Sequence, residues 1–329
     1  MSASTFHRNR AIRSAAHTGS DTALTGTGAL PHRSLTTTVP KEFVHRASVA
    51  EVMLTDWARM DDDHFCVEAQ WPRGHSFFVN VDDCHDPLIA AETIRQAGIL
   101  LAHTEYGVPL GHHFLMWDLA IDVRPAHLRV GSAPASLELD ITCHDVKWRR
   151  GNLAGFHYNV TIRRGPHIAA TGRADFTCVQ PATYNRLRTQ QLDGGRPALP
   201  LTAPIAPQDV GRVSPMDVVL SPIGQPNSWQ LRVDTRHPVL FDHPTDHVPG
   251  MVLLEAARQA TAATAGRPVI PLDITSEFKR YAELHTPCLI EARPAPGTDT
   301  DRPQSVLVTG HQEGQLVFRS TVTMAPLTQ

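Results

Sequence analysis

The chain has 329 residues, 33 acidic against 30 basic side chains, 41% hydrophobic content and 6% aromatics. That length suits two domains of ordinary size, and a net charge of −3 gives no basic field of the kind that gathers nucleic acid. No apolar run approaches the ~20 residues a membrane-spanning helix needs. The five cysteines (Cys66, Cys84, Cys143, Cys178 and Cys288) are odd in number and lack CxxC spacing, so neither a disulfide framework nor a zinc ribbon is indicated and the cytoplasm is the simplest home.

Residues 1–38 are rich in Ser, Thr, Gly, His and Arg without a signal-peptide apolar core, and read as a disordered extension. From Lys41 the chain turns strand-like, through EFVHRASVAEVMLTDWARM and HFCVEAQWP. His75-Ser76-Phe77-Phe78 and an Asp-rich loop then lead to a helix that starts at Pro87, with Asp86 placed to cap it. Four strand candidates follow: HHFLMWDLAIDV, LELDITCHDVKWR, GFHYNVTIRR and HIAATGRADFTCV. Two strands, a long helix and four strands fit a helix embraced by an antiparallel sheet. Residues 184–212, with Gly194-Gly195 and several prolines, read as an extended linker. The same order then returns, as SWQLRVDT, HPVLF, a helix from Pro249, SEFKRYAEL, CLIEARP, SVLVTGHQ and LVFRSTVTM.

The helices carry one chemical pattern twice. Glu92, Arg95, Gln96 and Ala97 recur as Glu255, Arg258, Gln259 and Ala260, and HSFF before the first helix is mirrored by HPVLF before the second. Glu, Arg and Gln at i, i+3 and i+4 share one helix face. Both helices are apolar on almost every side, so these polar groups are expected to be buried, and buried charges are costly unless paired or used. An intrahelical ion pair is the plain reading of one such tetrad. Its repetition, with a proline start and a Gly-x-Pro stop each time, indicates a tandem duplication.

PGMVLLEAARQA resembles the central helix of hotdog-fold β-hydroxyacyl-ACP dehydratases, which implies a catalytic acid at Glu255. Their loop histidine is matched by His243, with His247 competing; His85 lies just before the first helix. Over most of its length the chain resembles the A-factor biosynthesis (AfsA-type) family of γ-butyrolactone synthases. That likeness rests on HDPLIAAETIRQA, YGVPLGHHFLM, RVDTRHPVLF, DHVPGMVLLEAARQA and VTGHQEG. It implies an α+β protein of two tandem hotdog folds, each an antiparallel sheet wrapped around a long central helix, over 39–183 and 213–326 and packed as a pseudo-dimer. The implied activity joins a β-ketoacyl group from acyl carrier protein to the hydroxyl of dihydroxyacetone phosphate, on the way to a butyrolactone, butenolide or furan signal.

Such acyl transfer needs a base beside the attacking hydroxyl and donors for the developing oxyanion. Glu255 and His243 are the expected catalytic pair, with Glu92 either a second site or a brace. A buried Glu is a better base when desolvation raises its pKa and a worse one when an Arg neighbour lowers it, and the sequence leaves that open. Arg258 and Arg95 suit a phosphate, flanked by Gln259 and Gln96; the free N–H groups at the helix start near Gly250 suit a thioester carbonyl. No cofactor or metal is expected, since His112-His113 sit on opposite faces if they form a strand. The basic runs Lys147-Trp148-Arg149-Arg150, Arg163-Arg164 and Lys279-Arg280 are candidates to receive an acidic carrier. A homodimer is left open. The competing functions are a hotdog dehydratase or thioesterase, and a non-catalytic acyl-binding regulator.

Overall fold

The computed structural model describes residues 36–192, 199–267, 269–295 and 304–326. Of the expected disordered extension only 36–38 are among them, exposed and without secondary structure; the rest lies outside the described residues. Among the described residues no helix is long and apolar enough to cross a membrane.

The first half contributes β1 (Leu54–Asp61), β2 (His64–Trp71), α1 (Pro87–Thr104), β3 (His113–Val123), β4 (Ala135–Arg149), β5 (Asn152–Arg164) and β6 (His167–Val179). After α2 (Pro181–Leu192) come β7 (Leu220–Pro222), β8 (Ser228–Leu231), α3 (Gly250–Ala265), β9 (Val269–Phe278), β10 (Leu289–Pro294), β11 (Gln304–Gln312) and β12 (Gln315–Pro326). The twelve strands make one sheet in the order β1-β2-β4-β5-β6-β3-β9-β12-β11-β10-β8-β7. Read inward from either end it is the same six-strand pattern, and every pairing is antiparallel. The halves join where β3 meets β9, with Leu119 opposite Ser276 and Ile121 opposite Ile274. Each half thereby covers an edge the other would leave with unpaired backbone groups. The result is an α+β protein of two tandem hotdog folds.

Both central helices are buried on nearly every face. Gly98 shows what packs α1 so tightly: a Cβ there would lie 2.4 Å from the Tyr158 hydroxyl, which donates to the Ile94 carbonyl at 2.9 Å. A mid-helix glycine costs about 1 kcal/mol against alanine, and the close approach of Tyr158 explains why it stays. Trp71 secures the other side, its indole N–H donating to Thr93 Oγ1 at 2.9 Å.

Four departures from the sequence expectation have local causes. The stretch after Lys41 forms two 3-10 turns, Lys41–Val44 and Val49–Glu51, before β1 begins at Leu54, because His45 turns left-handed and the Ser48 side chain caps the second turn. HPVLF is a turn, in which His237 Nδ1 accepts from the Val239 and Leu240 N–H groups. β9 ends at Phe278, so its strand lies ahead of most of SEFKRYAEL. Residues 184–192 of the expected extended linker are helical in α2. Tyr184 and Arg188 on that helix are buried, and Arg188 binds Asp246 and Glu283 on the second half.

Candidate active site

Each central helix carries a saturated ion centre. Glu92, fully buried, accepts from Arg95 Nε (2.9 Å) and Nη2 (2.8 Å), Arg46 Nε (3.0 Å) and Gln96 Nε2 (2.7 Å). Glu255, equally buried, accepts from Arg258 Nε (2.9 Å) and Nη2 (2.5 Å), from Arg212 Nε (2.8 Å) and Nη2 (2.6 Å), and from Gln259 Nε2. The glutamines also tie in the backbone. Gln96 takes the Met53 N–H and gives to the Glu51 carbonyl; Gln259 takes the Val219 N–H and gives to the Asp217 carbonyl. The two added arginines cross over: Arg46 Nη1 donates to Val239 O of the second half (3.0 Å) and Arg212 Nη1 to Phe77 O of the first (2.7 Å).

Burial pushes the pKa of each glutamate up, but its two guanidiniums outweigh that and hold both near about 2. A carboxylate so fixed has its oxygens occupied and little basicity. The base expected at Glu255 is therefore not what this geometry provides.

The loops ahead of the helices begin alike and end differently. His75 accepts from the Phe77 and Phe78 N–H groups, both at 3.1 Å, with Nε2 3.3 Å from Glu51; His237 makes the matching turn, with Nε2 3.1 Å from Asp217. At the start of α1, the almost fully buried Asp86 accepts from the Leu88 N–H at 2.9 Å and stands 3.5 Å from Arg212 Nη1. That closes the helix end, and burial raises the Asp86 pKa despite Arg212 and Arg258. At the start of α3, Pro249 supplies no side-chain cap and Gly250 is exposed. The Val252 N–H closes on the Pro249 carbonyl at 3.0 Å, which leaves the Gly250 and Met251 N–H groups, among the described residues, to meet an anion or a polarised oxygen.

α3 opens into a cavity of about 1130 Å³ between the halves. Its wall takes Arg95 and Ile99 from α1, Phe114 to Trp117 from β3, and the 240–249 loop. In that loop His243 Nδ1 lies 2.5 Å from Asp242 Oδ1. Asp242 is itself fixed, accepting from the Ala47 N–H at 2.8 Å with Arg46 Nη1 at 3.6 Å, and its side chain is 1% exposed. Burial works against its ionisation, yet His243 and Arg46 hold its pKa below the ordinary carboxylate value. An ionised partner on Nδ1 leaves the lone pair of His243 on Nε2. A second dyad follows: His247 Nδ1 is 2.7 Å from Asp246, which also accepts from Tyr184 (2.7 Å) and Arg188 (2.9 Å).

His45 completes the wall. It is left-handed (φ 51°) where the other half has Gly211 (φ 65°), so a side chain stands where backbone conformation favours none. Its Nε2 is 2.9 Å from His103 Nε2, and His103 Nδ1 is 2.7 Å from the Val108 carbonyl. A carbonyl only accepts, so the His103 proton sits on Nδ1 and His45 must donate through Nε2, leaving its Nδ1 a bare acceptor. Burial, then His103 and Arg95, lower the His45 pKa to about 3.

The family model for the A-factor biosynthesis hotdog domain matches residues 29–180 and 195–328. The chain belongs to that family. A 2-oxo-3-(phosphooxy)propyl 3-oxoalkanoate synthase of Streptomyces virginiae is 54% identical over 285 residues, covering 86% of this chain and 96% of that protein. The Streptomyces griseus protein of the same name is 46% identical, covering 87% and 94%. Among solved structures, the 12:0-ACP thioesterase from Umbellularia californica overlays 79% of this chain and 94% of its own at 11% identity, with a TM-score of 0.48.

Of the residues singled out in this family member's sequence, Arg95, His243, His247 and Gly250 line one cavity, and Glu92 stands directly behind Arg95. Glu255, Arg258 and Gln259 form the other centre and do not line it, and Gln96 is committed to Glu92 and the backbone. His85 is 2% exposed against Trp71, away from the cavity wall. His112 and His113 both border the cavity, since β3 starts only at His113 and the strand rule does not separate them. Asp118, His157 and Asp175, on three neighbouring strands, have ligand atoms within 4.8 Å of one another and also lie outside the cavity wall.

Sequence reasoning missed Arg46 and Arg212, which share the pattern Arg-x-Ser-x-x-acid-Val at 46–52 and 212–218. It also missed Asp242, signalled by two Asp-His pairs in DHPTDH, and His45, for which the sequence carries no signal beyond alignment with Gly211.

Proposed function

We propose that the chain transfers a 3-oxoacyl group from a thioester to the hydroxyl of dihydroxyacetone phosphate, making the ester precursor of a butyrolactone-type signal. It is an acyltransferase, and both substrate classes follow the name of its 54% and 46% identical relatives. The single observation that carries the mechanism is the composite cavity. There the Asp242–His243 dyad of the second half shares one wall with Arg95 of the first and with the uncapped start of α3. His243 Nε2 takes the proton of the attacking hydroxyl as its oxygen bonds the thioester carbon. The charge gathered on the carbonyl oxygen faces the N–H groups near Gly250 and Met251. Collapse breaks the C–S bond, and the thiolate recovers the proton from His243.

Arg95 is the phosphate ligand in this reading, since its side chain is 20% exposed while Arg258 is 7% exposed and spent on Glu255. Glu92 and Arg46 are positioning residues: the first holds Arg95 and the second holds Asp242. A dehydratase has less support, because neither helix glutamate offers a free oxygen to the cavity. Acyl carrier protein is the donor we favour, in the cytoplasm, with the chain divided into halves over 39–183 and 213–326.

The test is product analysis by mass spectrometry with a 3-oxoacyl thioester and either dihydroxyacetone phosphate or dihydroxyacetone. His243→Gln should fold normally and lose about 10²–10⁴-fold in rate. Equal use of the two acceptors, or a His243→Gln protein of normal activity, overturns the assignment.

A further inference from the structure

Resting on the acyl-transfer reading, we infer that the cavity rim formed by the 110–117 segment, α2 and residues 279–280 is the docking face for the acyl carrier protein. Leu110, Trp117 and Leu187 all line the cavity and yet are 55%, 44% and 58% exposed, which places them at its mouth. Exposed large apolar side chains are ordinary when scattered, whereas three around one opening mark a contact surface.

The rim is also held in place. The β3 register slips between Met116 and Asp118, so Trp117 sits in a bulge, which re-aims a side chain. Its indole N–H donates to Thr177 Oγ1 at 2.8 Å. Leu187 rides on α2, which the buried neighbour Arg188 anchors to Asp246 and Glu283. A preordered apolar patch loses little side-chain freedom on binding.

Charge points to the kind of partner. Lys279 and Arg280 are exposed on the same rim; Lys279 pairs with Glu277, whereas Arg280 makes no ion pair among the described residues. Of the acids lining the cavity, Asp242, Asp246 and Glu283 are half-buried and held by Arg46 or Arg188, and Glu42 is exposed. An acidic carrier with an apolar contact spot complements this surface. His243 and the start of α3 lie in the cavity wall, so a docked carrier has to reach them with its thioester on a flexible arm.

The experiment compares the full chain with its Leu187→Glu and Arg280→Glu variants, using a 3-oxoacyl carrier protein, the matching 3-oxoacyl-coenzyme A and the matching N-acetylcysteamine thioester. Carrier binding is read separately by fluorescence anisotropy with labelled holo-carrier. Each variant should raise the carrier KM and Kd about tenfold or more, a cost of about 1.4 kcal/mol, and leave the small thioester within about twofold. Met60→Glu, exposed on β1, should behave as wild type throughout. Unchanged carrier binding in both variants, or equal losses with carrier and small thioester, overturns the docking face. A wild type that prefers coenzyme A thioester and does not bind the carrier also overturns it. Carrier binding lost in the variants while no donor yields ester would uphold the face and sink the acyl-transfer reading instead.

Discussion

The two halves share a fold, an ion centre and a histidine turn, and differ where each helix begins. α1 starts behind a buried aspartate that caps it and approaches Arg212; α3 starts at a bare Pro-Gly beside a large cavity. Left-handed His45 lines that cavity, and its counterpart is Gly211. Duplication supplied two equivalent places for a site, and one was sealed by charge pairing while the other was left open and furnished. Neither half encloses that cavity alone, because Arg95 reaches it from α1 and the Asp242–His243 pair from the loop before α3.

The largest expected effect separates the two ion centres. Glu255→Gln strands two nearly inaccessible guanidiniums, a change that commonly costs about 3–5 kcal/mol. Urea unfolding should show that loss. Glu92→Gln leaves Arg95 partly solvated, so its stability penalty should be smaller while its transfer rate falls further, because Arg95 and Asp242 both lose their alignment. Similar stability losses and similar rates in the two variants would dissolve the contrast.

Acid should act on both centres together. Their folded pKa values lie near about 2, below the ordinary 4.5 of an unfolded glutamate. The stabilisation is therefore complete above about pH 4.5 and lost as pH falls toward 2. His45, lowered from 6.5 to about 3, has the same sign and adds a loss that begins below about pH 6.5. Thermal melts from pH 7 to 2.5 should show this slope, flattened in Glu92→Gln and Glu255→Gln. A wild-type melting temperature flat across that range would refute the linkage.

A smaller effect is expected at the closed helix start. Asp86→Ala removes a cap worth about 0.5–2 kcal/mol and one acid near Arg212, so the melting temperature should drop with transfer nearly unchanged. A strong kinetic defect in a folded Asp86→Ala protein would mean that the sealed side takes part in the chemistry.

The smallest stability change belongs to His45→Gly, which gives the first half the residue of the second. Relief of the left-handed conformation, about 1 kcal/mol, offsets the lost packing on Phe114 and His103. Net stability should stay within about 1 kcal/mol of wild type while transfer slows. An unaltered rate would make His45 a packing residue only.

The sequence by itself determined the duplication, the two buried helices and most of the strands that follow them, because period, proline starts and the repeated Glu-Arg-Gln face are local signals. It also singled out Arg95, His243, His247 and Gly250. It placed α2 in a linker, since a weakly apolar helix held by one buried arginine has no pattern of its own. What only the tertiary structure decided is which acid meets which histidine. His243 is close in sequence to Glu255, yet the crossed arginines bind each pre-helix loop to the opposite helix, so Arg46 ties the loop of Asp242 and His243 to Glu92, and His243 shares its cavity with Arg95. The fate of the glutamates was decided the same way. Burial and ion pairing pull a carboxyl pKa in opposite directions, and the outcome rested on Arg46 and Arg212, residues 46 and 43 positions away that reach their partners only when the chain is folded.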